Sequence, residues 1–213
     1  LDPSKTFTLP PRQVANGVVD AFVHIAEQYL TYPVDARVQD RFAEGLLLTL
    51  IEEGPRALHE PADYDVRANL MWTATLALNG LIGAGVPQDW ATHMLGHELT
   101  ALHGLDHAQT LAVVLPAMLQ VRRAEKRQKL LQYAERVWGL RAGDDEARID
   151  QAIAHTRSFF ESLQVPTRLS AYGIGAEAIP ALLAQLERHG MVALGERQNV
   201  DLAQSRLVYE LAV

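Results

Sequence analysis

The fold is decided by residues 89–119, which read DWATHMLGHELTALHGLDHAQTLAVVLPAML. Apolar residues recur in this stretch every three to four positions, which is the spacing of an α-helix. Gly104 interrupts the pattern, and Asp106 is a residue type that caps helix starts. The stretch therefore predicts one helix over residues 90–103, a tight turn, and a second helix over residues 106–119.

The same helical spacing continues on both sides of this stretch, whereas the alternating pattern of β-strands is nearly absent. Proline and glycine residues divide the remaining chain into seven segments. We predict a helix that is entered at Pro10-Pro11, runs on towards Tyr29 and is ended by Pro33, and further helices at about residues 36–53, 65–81, 123–138, 145–163, 175–189 and 201–211. The predicted fold class is all-α.

The sequence also predicts the end of one helix and the exposure of one charged segment. Gly54-Pro55 should end the second helix of the chain, because proline disrupts a helix interior. The charged residues around Arg122–Arg127 are expected to form a solvated helix face.

Composition narrows the chemistry. The chain has 213 residues, 48% of them hydrophobic, which is enough for a substantial core. It has no cysteine, so disulfides, thiolate catalysis and cysteine-based metal sites are excluded. Any metal must be held by histidine and carboxylate side chains.

Charge and hydropathy limit the partners. The net charge is -7 and no basic stripe interrupts it, which disfavours nucleic acid. The longest apolar runs are too short for a membrane span and no basic-then-apolar leader is visible, so we expect no membrane partner and a cytoplasmic location. Because the chain begins with Leu1 instead of methionine, we expect it to be a fragment.

Histidines and one aspartate carry the candidate chemistry. Asp20 and His24 are four residues apart and share a helix face, and His93 and His97 repeat this spacing. His107 follows after the turn. Four of the eight histidines fall between residues 93 and 107, in an otherwise apolar segment. They are interpreted either as metal ligands or as imidazoles that bond backbone carbonyls at a helix turn.

Ligand chemistry favours a transition metal if these residues converge. Asp20, His24 and two further imidazoles would supply three nitrogens and one oxygen, a set that suits Fe²⁺ or Zn²⁺. Calcium and magnesium fit it poorly.

Three other motifs are absent. His97-Glu98 is not followed by histidine at the position that the metalloprotease motif HExxH requires. The order Asp106-His107 is the reverse of the His-Asp pair of helical phosphohydrolases. The glycines at 80, 83 and 85 have the wrong spacing for a dinucleotide-binding loop.

The motif Asp20-x3-His24, together with His93-x3-His97 and His107 ten residues on, resembles the iron-containing alcohol dehydrogenase family. Within it, the chain is most similar to bacterial NADPH-dependent, broad-specificity aldehyde reductases and butanol dehydrogenases. The similarity extends over all 213 residues.

The resemblance implies a two-domain enzyme, with a nucleotide-binding α/β domain followed by a helical domain like that of dehydroquinate synthase. Residues 1–213 would be the helical, metal-binding domain, and the nucleotide-binding domain would be absent from this chain. NADP(H) would be the redox cofactor, an aldehyde or primary alcohol the substrate, and a homodimer the assembly.

The resemblance also assigns roles to residues. Asp20, His24, His93 and His107 would bind Fe²⁺ or Zn²⁺, which polarises the substrate carbonyl during hydride transfer. His97 would lie near the nicotinamide and the substrate, as a cofactor-binding and catalytic residue. We expect no reductase activity from this chain alone. Two alternatives are a non-catalytic helical module and a metal-dependent hydrolase.

Overall fold

The helix after the Gly104 turn lies at the centre of the protein. The computed structural model describes residues 1–213. In it, the helix α5 (His107–Val121) is buried along most of its length. Leu111, Ala112 and Leu115 face one hydrophobic core, while Val113, Val114 and Ala117 face another. Since α5 has no wide polar face, it can only be stable between other helices.

Nine α-helices and three short 3₁₀ turns make up the regular structure, and no β-strand is present, which confirms the all-α prediction. An isolated β-bridge joins Leu194 and Val200. The helices are α1 (Pro11–Tyr29), α2 (Arg37–His59), α3 (Tyr64–Leu78), α4 (Ala91–His103), α5 (His107–Val121), α6 (Arg127–Arg136), α7 (Asp145–Ser162), α8 (Ile179–Arg188) and α9 (Leu202–Ala212).

Two cores divide the helices between them. The larger one joins α1, α2, α6 and α7 to one side of α5, and the smaller one joins α4, α8 and α9 to the other side. None of the helices combines the length and the apolar character that a membrane span requires. The candidate site residues lie on α1, α4 and α5, and the packing of α1 and α4 against α5 sets the positions of these three helices.

The predicted end of the second helix is wrong. Gly54 and Pro55 lie inside α2, which continues to His59. A Cβ atom at Gly54 would come within 2.8 Å of Cγ1 of Val18 on α1. The glycine therefore serves close packing of α1 against α2, and the helix passes through Pro55 for one more turn.

Three other boundaries also differ from the predictions. The third helix ends at Leu78, three residues earlier than predicted. α8 begins only at Ile179, after a 3₁₀ turn, because Pro180 fits the first turn of a helix. α6 begins at Arg127, since the chain turns before it.

The solvated helix face expected around residues 122–127 is also wrong for two of its members. Lys126 is only 3% exposed, and Arg122 is also buried. The Lys126 ammonium donates to the Leu30 carbonyl at 2.5 Å and lies 2.8 Å from an oxygen of Asp89 and 3.1 Å from one of Glu196. It thereby ties the end of α1 to the segment before α4 and to the loop before α9.

Replacing Lys126 with alanine should destabilise the fold strongly. The substitution leaves the carboxylates of Asp89 and Glu196 buried without their cation, which typically costs about 3–5 kcal/mol. Urea unfolding followed by circular dichroism measures the loss. The neighbouring Arg127→Ala is the matched control, because Arg127 is 43% exposed and pairs only with exposed carboxylates. Equal unfolding midpoints for the two variants would contradict the assigned role of Lys126.

Candidate metal centre

Three helices bring the predicted ligands to one place. Asp20 and His24 lie on successive turns of α1, His93 lies near the start of α4, and His107 is the first residue of α5. α4 and α5 approach closely at Gly96, where a Cβ atom would lie 2.6 Å from Oγ1 of Thr110. Only glycine permits this distance, which sets His93 beside His107.

Asp106 fixes the start of α5 against α1. Its Oδ2 accepts from Nε of Arg12 at 2.7 Å and from Nδ2 of Asn16 at 2.7 Å, and it lies 2.6 Å from Nη2 of Arg12. Its backbone N–H donates to Oε1 of Gln109 at 3.0 Å, as in a capping box. Asp106, which directly precedes His107, is therefore held by contacts with both α1 and α5.

The four predicted ligands converge on one point. One side-chain ligand atom from each of Asp20, His24, His93 and His107 can be chosen so that all four lie within 4.8 Å of one another. Oδ1 of Asp20 lies 3.4 Å from Nε2 of His24, 3.5 Å from Nε2 of His107 and 3.9 Å from Nε2 of His93. Nε2 of His24 and Nε2 of His93 are 3.2 Å apart.

These separations fit a common ion. Ligands at ~2.1 Å from a tetrahedral metal are separated by ~3.4 Å, close to the 3.2–3.9 Å found among these atoms. Oδ1 of Asp20 is also buried without an ordinary hydrogen bond. One carboxylate oxygen and three imidazole nitrogens are a donor set that Fe²⁺ and Zn²⁺ accept. The residues present therefore fit a divalent transition metal.

The surroundings favour the neutral form of the His93 and His107 imidazoles and the charged form of the Asp20 carboxylate. Burial and the nearby His24 lower the pKa of His93 to about 4. Burial likewise lowers the pKa of His107, although Asp20 opposes this. Burial raises the pKa of Asp20, but the three surrounding histidines outweigh it, so that pKa lies below its usual value. Neutral imidazole and ionised carboxylate are the forms that bind metals.

The other two histidines of the cluster lie outside the ligand set. The His97 ring stacks on the His107 ring, with centroids 5.1 Å apart and an angle of 14° between the planes. Burial and His93 lower the pKa of His97. His103 is exposed at the end of α4. His97 is thus adjacent to the centre without forming part of it.

Trp90 forms one wall of the centre. Its ring packs edge-on against His24 and His93, with centroids 5.3 and 5.2 Å away. Its backbone adopts the left-handed conformation, with φ at 63°, which is rare outside glycine and is often found at functional sites. The ring is half-buried at the site.

An open cavity of about 340 Å³ adjoins the ligands. Its lining includes Asp20 and His107 together with Asn16 and Asp106. The cavity gives a small molecule access to the side of the centre formed by α1 and the start of α5.

Sequence reasoning missed Glu27. Its carboxylate is buried and contacts Nδ1 of His93, and it also accepts from the backbone N–H of Thr92 at 2.6 Å. Burial, reinforced by Asp89, raises the pKa of Glu27 to about 8. The signal was available, because Asp20, His24 and Glu27 follow the i, i+4, i+7 spacing of one helix face.

Comparison with known proteins places the chain in a family. Residues 14–203 match the model of the Fe-containing alcohol dehydrogenase family, C-terminal. The chain is 71% identical to the NADPH-dependent aldehyde reductase YqhD of Escherichia coli, over 100% of this chain and 55% of that protein. It is 35% identical to the NADH-dependent butanol dehydrogenase A of Clostridium acetobutylicum, over 94% of this chain and 52% of that protein.

Comparison with solved structures gives the same family as the sequence comparisons. The substrate- and cofactor-free form of the E. coli aldehyde reductase superposes with a TM-score of 0.99 at 70% identity, covering 100% of this chain and 56% of that one. The butanol dehydrogenase A of Thermotoga maritima gives 0.93 at 30% identity, covering 100% and 55%. The chain spans about half the length of the relatives it matches. This chain belongs to the iron-containing alcohol dehydrogenase family and corresponds to its C-terminal, helical part.

Proposed function

We propose that this chain is the metal-binding half of an NADP(H)-dependent enzyme that interconverts aldehydes and primary alcohols. The observation that carries the proposal is the convergence of Asp20, His24, His93 and His107 on one point. Family membership supports the same reaction class, and the similarity to an NADPH-dependent aldehyde reductase favours NADP(H).

The four converging residues are the proposed ligands, for Fe²⁺ or Zn²⁺. A bound dication supplies Lewis-acid chemistry, which stabilises negative charge on the oxygen of a carbonyl substrate during reduction. Asp20 contributes the single carboxylate of the proposed ligand set. The imidazoles of His93 and His107 contribute neutral donors because burial disfavours their protonation.

Other residues of this chain prepare the site for the substrate. His97 lies against His107, and we propose that its imidazole orients the substrate and nicotinamide or passes a proton to the substrate oxygen. The indole of Trp90 shields the imidazoles of His24 and His93 from water. The cavity beside Asp20 and His107 is the proposed route for a small aldehyde.

The proposal assigns the nucleotide to a separate half of the protein. Residues 1–213 would form the helical domain, and a nucleotide-binding domain would complete the cleft and present the hydride donor. No glycine-rich dinucleotide loop occurs in this sequence. A homodimer and a cytoplasmic location are finer parts of the proposal that rest on the family resemblance and the sequence.

The chain should bind about one Zn²⁺ or Fe²⁺ per molecule, and His93→Ala should abolish this binding. Removing one of four ligands lowers affinity by more than the roughly 10- to 100-fold typical of losing a ligand's hydrogen-bond partner. Elemental analysis after dialysis, with competition by a chromophoric chelator, measures both quantities.

His103→Ala is the matched control, because this imidazole lies on the same helix but is exposed and outside the ligand set. It should keep the metal content of the wild type. Full metal retention by His93→Ala would reject the ligand assignment. No metal in the wild-type chain would instead favour a non-catalytic helical module.

The chain alone should not reduce butanal with NADPH, whereas a fusion to the N-terminal half of the E. coli aldehyde reductase should do so. In the proposal, the hydride donor and half of the cleft come from the nucleotide-binding domain. Because the chain is 71% identical to the E. coli protein, we expect the two fused halves to pack against each other as they do in that protein. Loss of NADPH absorbance measures turnover in both proteins.

His97→Gln in the fusion separates the proposed catalytic role of His97 from metal binding. It should keep its metal and lose about 100-fold or more in kcat, the range for a general acid or base. Robust turnover by the unfused chain would contradict the proposal that a separate domain binds the nucleotide. An unchanged kcat in the His97 variant would contradict the proposed role of His97.

A further inference from the structure

Glu27 links the candidate metal centre to the interior of the protein. It lies one turn beyond His24 on α1 and is only 2% exposed. Its Oε2 contacts Nδ1 of His93, while the other ring nitrogen, Nε2, faces His24 at 3.2 Å. One imidazole thus lies between a buried carboxyl group and the point where the ligand atoms converge.

We propose that Glu27 is a positioning residue of the metal centre. With a dication on Nε2 of His93, Glu27 would be present as the carboxylate, accept the Nδ1–H of that ring and so keep the lone pair of Nε2 directed at the ion. This inference rests on the proposed function, because it takes His93 as a ligand. Glu27 does not bind the ion itself, since its two oxygens are engaged by His93 and by the Thr92 backbone.

The chemistry follows from the tautomers of histidine. A neutral imidazole carries one N–H, and its other nitrogen is an acceptor. A carboxylate can only accept, so it selects the tautomer with the proton on Nδ1 and leaves Nε2 free to bind a metal. Metal-binding histidines usually have such a partner, which also increases the basicity of the ligand.

The position of Glu27 is fixed by the same short segment that carries His93. Its Oε1 accepts from the backbone N–H of Thr92 at 2.6 Å, and its own backbone carbonyl accepts from the N–H of Asp89 at 2.9 Å. Nδ1 of His24, in contrast, is buried without a hydrogen-bond partner. The structure therefore supports His93 with a carboxylate but does not support His24 in this way.

Charge balance gives a second reason for this arrangement. Lys126 is the buried cation of the region, and it lies 2.8 Å from Asp89 and 3.1 Å from Glu196. Glu27 adds a further buried carboxyl group beside His93, and Oδ1 of Asp20 lies 3.9 Å from Nε2 of the same ring. Buried negative charge is costly unless it is compensated. A dication held by His93 and Asp20 would supply that compensation next to Glu27.

Glu27→Gln tests the inference sharply. Glutamine has one acceptor oxygen, but two donors require it, the Thr92 N–H and the His93 Nδ1–H. The backbone N–H cannot change, so the amide NH₂ faces Nδ1 and moves the His93 proton to Nε2. We expect Zn²⁺ affinity, measured by chelator competition, to fall about 10- to 100-fold.

Glu98→Gln is the matched control. Glu98 is buried to a similar degree, and its Oε1 lies 2.7 Å from Nδ1 of a histidine outside the centre, His189. It should keep wild-type Zn²⁺ affinity. Thermal melts of the metal-free variants show whether each is folded.

The outcomes separate the two proposals. Wild-type affinity in a folded Glu27→Gln variant would overturn the role of Glu27 and leave the metal site intact. A wild-type chain that does not bind Zn²⁺ would overturn both. If Glu27→Gln does not fold, NMR of the zinc-loaded wild type decides, since it should show a hydrogen-bonded, downfield Nδ1 proton on His93. The absence of that proton would overturn the inference.

Discussion

The close packing of α5 against α1 and α4 is the constraint on which the candidate site depends. α5 is apolar around most of its circumference and separates two hydrophobic cores, so its position is fixed by burial. Asp106 and Gly96 then set the start of α5 against its two neighbours within hydrogen-bond and van der Waals distance. Because His107 is the first residue of α5, the same packing determines where the fourth predicted ligand lies.

A continuous path of buried polar contacts lies behind this site. It leads from His93 to Glu27, whose backbone carbonyl accepts from the N–H of Asp89, and then through Lys126 to Glu196 in the loop before α9. Fold and site thus share one electrostatic network.

Much of this could be predicted from sequence, because local spacing carried the information. Helical periodicity predicted the all-α class, and the four-residue spacing of Asp20 and His24 placed them on one face. Tertiary packing decided the rest. Gly54 lies inside α2, where it packs against Val18 of α1, and Lys126 is buried because partners distant in sequence surround it. Glu27 shares the helix face of Asp20, but only the folded chain shows that His93 reaches it.

The most direct test of the central claim is anomalous diffraction from crystals of this chain grown with Zn²⁺, recorded on both sides of the zinc absorption edge. The account predicts one strong anomalous peak per chain, about 2.1 Å from Oδ1 of Asp20 and from Nε2 of His24, His93 and His107. A peak bound to other residues, or no peak at these four in zinc-saturated crystals, would contradict it.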